Sequence, residues 1–283
     1  MKFEVYTDES YITDERYRSI AAFSYNADQR TAIHNELNEI LHHSNVREFK
    51  WSKLSNAKYK ICALKLINFI LKNITKYDIR IDVLTWDTYD SRHKVKNRDD
   101  QANFERLFFH LLKTCCKKRP KNSIWDIYPD QRHGIDWDTV NTCLNAEGNK
   151  REFQSSLFGD FYSDPYYQIH RFSEIDSTKE PCCHIADLFA GLSVFSINSY
   201  SKYKKWVLQN QPSLFETETE AVDVSNSEQV RFEVMQKFNT KCKNLKLGVS
   251  LDRNQCFLTY DHKKPINFWW YKPQHQHDKA PKK

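Results

Sequence analysis

Residues 181–200, PCCHIADLFAGLSVFSINSY, are apolar on nearly every side at helical spacing. No other stretch constrains the fold as strongly. A helix without a polar face has no place at a surface, so other elements of a sizeable fold must cover it. Pro181 suits its first turn, where no amide hydrogen is needed. One residue breaks the pattern: Asp187 lies between Ala186 and Leu188. A buried carboxylate without a partner is costly, so Asp187 calls for a core arginine, a proton or a bound cation. Ala190 and Gly191 beside it leave room for another backbone or an ion to come close.

The elements available to cover this helix alternate between strand and helix. Two extended runs, 3–10 and 16–26, predict an antiparallel pair with a short connection. Residues 28–43 carry Ile33, Leu37, Ile40 and Leu41 at helical spacing, with Asp28 available as N-cap. After a short segment at 48–53, residues 56–75 form a helix whose apolar face includes Ile61, Leu64, Ile67, Ile70 and Ile74. Alternating β-branched residues make 77–87 a strand. A helix at 100–118 follows, then the strand 123–130, ended by Pro129 because proline cannot donate to a sheet ladder. The spacing predicts a short helix over 137–145, a polar irregular loop over 146–165 and one more strand at 168–175. Beyond the apolar helix come an acidic insertion at 208–228, a helix at 227–243, an extended stretch, the aromatic run Phe268–Tyr271 and a frayed tail from Pro273. This order predicts an α/β fold with a mixed central sheet and helices on both faces. Residues 1–200 form the main domain, and 201–283 form a helical and aromatic extension packed on it.

Composition excludes several functions. The 283 residues include only five glycines, no two of them close enough for a phosphate-cradling loop, which argues against P-loop, dinucleotide-binding and kinase folds. A net charge of +6 permits a polyanionic partner without demanding one. The first residues, MKFEVYTDES, lack a signal-peptide core, and no uninterrupted apolar run spans a membrane, so a cytoplasmic protein with no membrane partner is expected. Eight cysteines, including the adjacent pairs Cys115–Cys116 and Cys182–Cys183, lack any C-x-x-C ligand spacing and read as reduced thiols. Zinc held by Cys182, Cys183 and His184 is disfavoured, because three consecutive helical residues point in different directions.

Four acids fall where chemistry could reside. Asp8 closes the first strand on the face of Glu4 and Tyr6, and Asp130 follows the strand-ending Pro129, so both can project from strand ends toward one rim. Asp187 is the third. Glu48, in EFKWSK, is the fourth, with Lys50 on the same side if the segment is extended. Converging carboxylates suit Mg²⁺ or Mn²⁺, and two such ions can clamp a phosphodiester undergoing in-line displacement. Taken singly, Asp8 and Asp130 also suit turns or caps, and Glu48 with Lys50 suits a solvated edge. Asp87, at a strand end, is a reserve ligand. Lys50 is a candidate for phosphate contact, as are Arg92 and His93 in the basic run after Asp87 if the acids lie nearby.

At YTDES, EFK, the IWDIYPD strand end and HIADLFAG, the chain resembles the domain of unknown function 3800 family over roughly residues 3–200. The ending PINFWWYKP is similar to members of this group. The resemblance implies a ribonuclease H-like fold and a metal-dependent nuclease of bacterial mobile elements and defence. Its ligands would be Asp8, Glu48, Asp130 and Asp187, its ions Mg²⁺ or Mn²⁺, and its partners DNA or RNA, with room for an activating protein. His184 stands where the family has glutamine. A catalytically silent subunit of the same fold, binding nucleic acid or protein, is the competing expectation.

Overall fold

The structure is a computed structural model that describes residues 1–10, 16–93, 99–156, 159–210 and 222–272. Most of the acidic insertion and the tail from Pro273 lie outside the described residues. In chain order the elements are β1 (Lys2–Ser10), β2 (Tyr17–Asn26), α1 (Arg30–His43), α2 (Ala57–Asn73), β3 (Arg80–Asp87), α3 (Asp100–Lys117), β4 (Ser123–Pro129) and α4 (Trp137–Gly148). There follow β5 (Phe153–Ser156), β6 (Gly159–Tyr162), β7 (Tyr167–Phe172), α5 (Pro181–Asn210), α6 (Asn226–Asn244), β8 (Val249–Ser250), β9 (Leu258–Thr259) and β10 (Ile266–Trp270).

Six strands form one mixed sheet in the order β10-β3-β2-β1-β4-β7. The first three strands run antiparallel to their sequence neighbours, whereas β4 is parallel to β1, β7 to β4 and β10 to β3. β1 is therefore interior. Its alternation sorts side chains to two separate cores: Phe3 and Val5 join Ile20, Trp125 and Ile127 against α3 and α4, while Tyr6 joins Phe23, Ile81 and Val83 against α1, α2, α5 and α6. Helices cover both faces, as the order of elements predicts.

α5 is long and apolar enough by length and composition to cross a membrane, but its apolar part is buried across β1 and β2 as the core helix of the fold. Ser19 of β2 donates a hydrogen bond to the Ala190 carbonyl at 2.7 Å, tying the helix to the sheet. All eight cysteines are free, in line with reduced thiols.

Several expectations need correction. Asp28 does not cap α1. The Asn26 side chain accepts from the Asp28 amide and caps a 3-10 turn at Ala27–Gln29, so α1 starts two residues later than predicted. Ile61 is 47% exposed, because it faces away from the α2 stripe that meets the core. Part of the predicted 146–165 loop is regular: α4 runs to Gly148, and β5 and β6 make an antiparallel hairpin with Phe153 packed edge-on to Tyr162. The C-terminal region is built into the main domain. β10 is an edge strand of the central sheet, with Phe268 in one core and Tyr271, just past its end, in the other, and Phe238 of α6 packs on Phe189 of α5.

Gly191 fits α5 against the 3-10 turn Trp51–Lys53: a Cβ built there would lie 2.1 Å from Trp51 Cγ. Gly191→Ala must displace the indole, and overpacking of this kind costs about 1–3 kcal/mol. A lower urea midpoint with an unchanged slope is the expected result.

Candidate functional site

β1 and β4 run parallel, so their C-terminal ends share one rim of the sheet. Asp8 lies on β1 one residue beyond Thr7, which pairs with Pro129. The Asp130 amide donates to the Thr7 carbonyl at 3.1 Å and Asp130 bridges Ile175 in parallel fashion, so the Pro129 stop leaves its carboxylate beside Asp8. α5 crosses the same face. It contributes Asp187, whose Oδ2 accepts from the Trp51 amide at 2.5 Å.

Lys50 joins these acids. Its backbone is extended, and the 3-10 turn that follows aims the Trp51 amide at Asp187. The Lys50 Nζ donates to Asp8 Oδ2 at 3.3 Å and to Ser177 Oγ at 3.2 Å. Ser177 secures the arrangement from three sides. Its amide donates to Asp130 Oδ1 at 3.0 Å, its hydroxyl accepts from Lys50, and its carbonyl accepts from His184 Nε2 at 3.1 Å. The third contact makes Nε2 the protonated nitrogen and leaves His184 Nδ1 a buried lone pair with no hydrogen-bond partner among the described residues. Arg231 of α6 braces the turn by donating to the Ser52 carbonyl at 3.2 Å.

The electrostatics follow from this packing. Asp8 and Asp187 are 4% and 8% exposed. Burial pushes the Asp8 carboxyl well above the usual range, and the charges of Asp187, Glu9 and Asp130 push it further while Lys50 pulls it back. Burial raises Asp187 to about 6 against the pull of Lys50 and the Trp51 amide. Burial alone would lower Lys50, but Asp8, Asp187 and Asp130 together hold its ammonium well above the usual lysine range. His184 is lowered to about 4 by burial and by Lys50, so its imidazole is neutral near pH 7. The site is a buried excess of negative charge, with Lys50 as the cation that now offsets it.

Three of the four acids found in the sequence, Asp8, Asp130 and Asp187, meet around Lys50. Glu48 sits at the edge: its carboxylate pairs with Lys53 at 2.9 Å and lies 4.0 Å from Lys50, because the 3-10 turn folds Lys53 back onto it. Burial would raise its pKa, but Lys53 and Lys50 lower it overall. A core arginine does not serve Asp187; Lys50 and the Trp51 amide take that role. Asp87 is not a reserve ligand in this arrangement, since it is engaged by Arg16 at 2.6 Å and accepts from the Tyr89 amide. Nor do Arg92 and His93 approach the acids. Arg92 pairs with Asp90, while His93 packs on Tyr271 at 5.7 Å and lines a small cleft with Arg18, Trp86 and Phe104, on the face opposite Asp8.

The sequence reading missed Ser177, Glu9, Cys183 and the part played by His184. Glu9 pairs with Arg132. The buried Cys183 thiol is raised by burial and then by Asp8 and Asp130, which places it at the same acids. Cys183, His184 and Asp187 fall at i, i+1 and i+4 on α5, so the Cys183–Asp187 spacing was a usable signal. Ser177 acts largely through its backbone and left none.

Comparison with known proteins gives two relatives from Methanothermobacter thermautotrophicus. The chain is 33% identical over 284 residues to the uncharacterized protein ORF2′, covering 98% of this chain and 96% of the relative. It is 30% identical to the uncharacterized protein ORF2 over the same length and coverage. No family model matches the chain, and no solved structure matches it.

The Asp187 shift fixes a pH dependence. Because its folded pKa is raised from 3.8 to about 6, the protonated form is favoured by folding; that stability is complete below about pH 4 and lost as pH rises through about 6. In metal-free protein Asp187→Asn should flatten this fall, gaining up to about 3 kcal/mol at pH 7 and nothing at pH 4. Urea melts across that range check it. A variant equally destabilised at both pH values would mean that the carboxylate is a net stabilising partner of Lys50.

Proposed function

We propose that this chain, which belongs to the family of the uncharacterized ORF2 proteins, is a divalent-metal-dependent nuclease that hydrolyses phosphodiester bonds of DNA or RNA. The observation that carries the reading is the burial of Asp8 and Asp187, with Asp130, around one lysine at the C-terminal rim of parallel strands. Such an all-oxygen set is the donor chemistry of Mg²⁺ or Mn²⁺, and the charge it concentrates is what a cation would relieve. The interior position of β1 and the burial of α5 across it agree with the ribonuclease H-like architecture that the resemblance implies. The resemblance also points to mobile-element or defence biology.

Asp8, Asp130 and Asp187 would hold the metal, with Glu48 at the outer edge. Bound ions would supply neutralisation of the phosphate charge and activation of the attacking water. The chain's own groups do the rest. The Trp51 amide fixes the Asp187 carboxylate, and Ser177 fixes Asp130 and His184. Lys50, flexible at Nζ and strongly cationic, is the group that can leave Asp8 and face a phosphate oxygen. One observation favours the silent subunit instead: Lys50 already offsets the acids, as an ion would in an enzyme.

Cleavage assays separate the two. Labelled single- and double-stranded DNA and RNA should be cut with Mg²⁺ or Mn²⁺ and left intact with chelator. Asp8→Asn and Asp187→Asn should lower the rate by more than the roughly 10–100-fold that loss of an outer-shell partner costs a metal site. Metal-independent binding without cleavage, unchanged in Asp8→Asn, would establish the silent subunit.

A further inference from the structure

We propose that His34, Glu180 and Cys182 form a second and separate metal site, which takes a tetrahedral, thiolate-seeking ion of the Zn²⁺ class and pins the start of α5 to α1. Among the described residues, these three bring their ligand atoms within 4.8 Å of one another. His34 Nε2 lies 3.4 Å from Cys182 Sγ and 3.4 Å from Glu180 Oε1. Zinc bonds of about 2.3 Å to sulfur and about 2.0–2.1 Å to nitrogen and oxygen, set at the tetrahedral angle, give edges of roughly 3.3–3.6 Å. Both edges from His34 fall in that range, and the third lies within 4.8 Å.

The surroundings suit such an ion. Tyr25 Oη lies 3.3 Å from His34 Nε2 and 3.7 Å from Cys182 Sγ. Its proton goes to Glu4 Oε2 at 2.8 Å, so an oxygen lone pair faces the three ligands and either it or a water can complete the tetrahedron. Glu4 is balanced by Arg30 at 2.9 Å. Glu180 and a Cys182 thiolate then offset the two charges of the ion, and binding sends the Cys182 thiol proton to solvent. The His34 and Glu180 side chains are partly exposed, which gives an ion a way in.

The site is distinct from the acid cluster in both direction and chemistry. Cys182 faces His34, while its neighbour Cys183 faces Asp8 and Asp130, as consecutive helical positions must diverge. Its sulfur, nitrogen and oxygen donors select a softer ion than three carboxylates do. Glu180 and Cys182 flank Pro181 at the first turn of α5, and His34 belongs to α1. An ion here would join segments far apart in sequence and fix the helix end five residues ahead of Asp187.

Cobalt titration of the full chain tests this, after metal removal by chelator and dialysis. The wild type should develop a thiolate-to-cobalt charge-transfer band with the amplitude of a single cysteine ligand, whatever Co²⁺ the acid cluster also takes, and Zn²⁺ should abolish it. Cys182→Ser should abolish the band, His34→Gln should weaken binding at least about tenfold, and Cys183→Ser should retain the band. A wild type that shows no thiolate band overturns the proposal whatever the variants do, as does a band that survives Cys182→Ser or vanishes in Cys183→Ser. None of these outcomes bears on the nuclease reading, whose donors are all oxygen.

Discussion

The structure depends on how it tolerates one buried carboxylate. Asp187 is the one carboxylate on α5, buried in the core, where an uncompensated charge would cost a large share of the fold's net stability. The compensation comes from outside the helix. The segment before α2 makes a tight turn that presents the Trp51 amide and the Lys50 ammonium together. That turn fits only because Gly191 has no side chain at the point where Trp51 passes, and α6 holds it through Arg231. The acid therefore dictates the packing of a loop, a glycine and a C-terminal helix.

The same compensation links fold to chemistry. Lys50 is shared with Asp8, which lies in the interior of the sheet because β1 pairs with β2 on one side and β4 on the other. The parallel pairing of β1 and β4 brings Asp130 to the same rim, so pairing direction decides which carboxylates meet. Once they meet, burial raises Asp8 and Asp187 together, and the site prefers either protons or cations. At neutral pH such a set favours positive charge, and in this structure Lys50 supplies it.

Much of this was legible in the sequence where periodicity carries it. The all-apolar helix, its lone acid, the first strand and the stop at Pro129 follow from side-chain type and spacing, and they located Asp8, Asp130 and Asp187. Glu48 was placed less well, because a 3-10 turn has no periodic signature and Lys53 reaches back across it. Arg92 and His93 follow Asp87 in sequence, but the sheet separates their face from that of Asp8. β10 was hidden for a different reason: a parallel edge strand pairs with a segment far earlier in the chain, and its aromatic run gives no register.

The most direct test of the central claim is a crystal structure of the protein grown with Mn²⁺, read from the anomalous signal and the position of Lys50. The account predicts at least one ion coordinated by Asp8 and Asp187, with the Lys50 Nζ displaced from its 3.3 Å contact with Asp8. No ion at these acids at saturating Mn²⁺, with Lys50 still bound to Asp8, would contradict it.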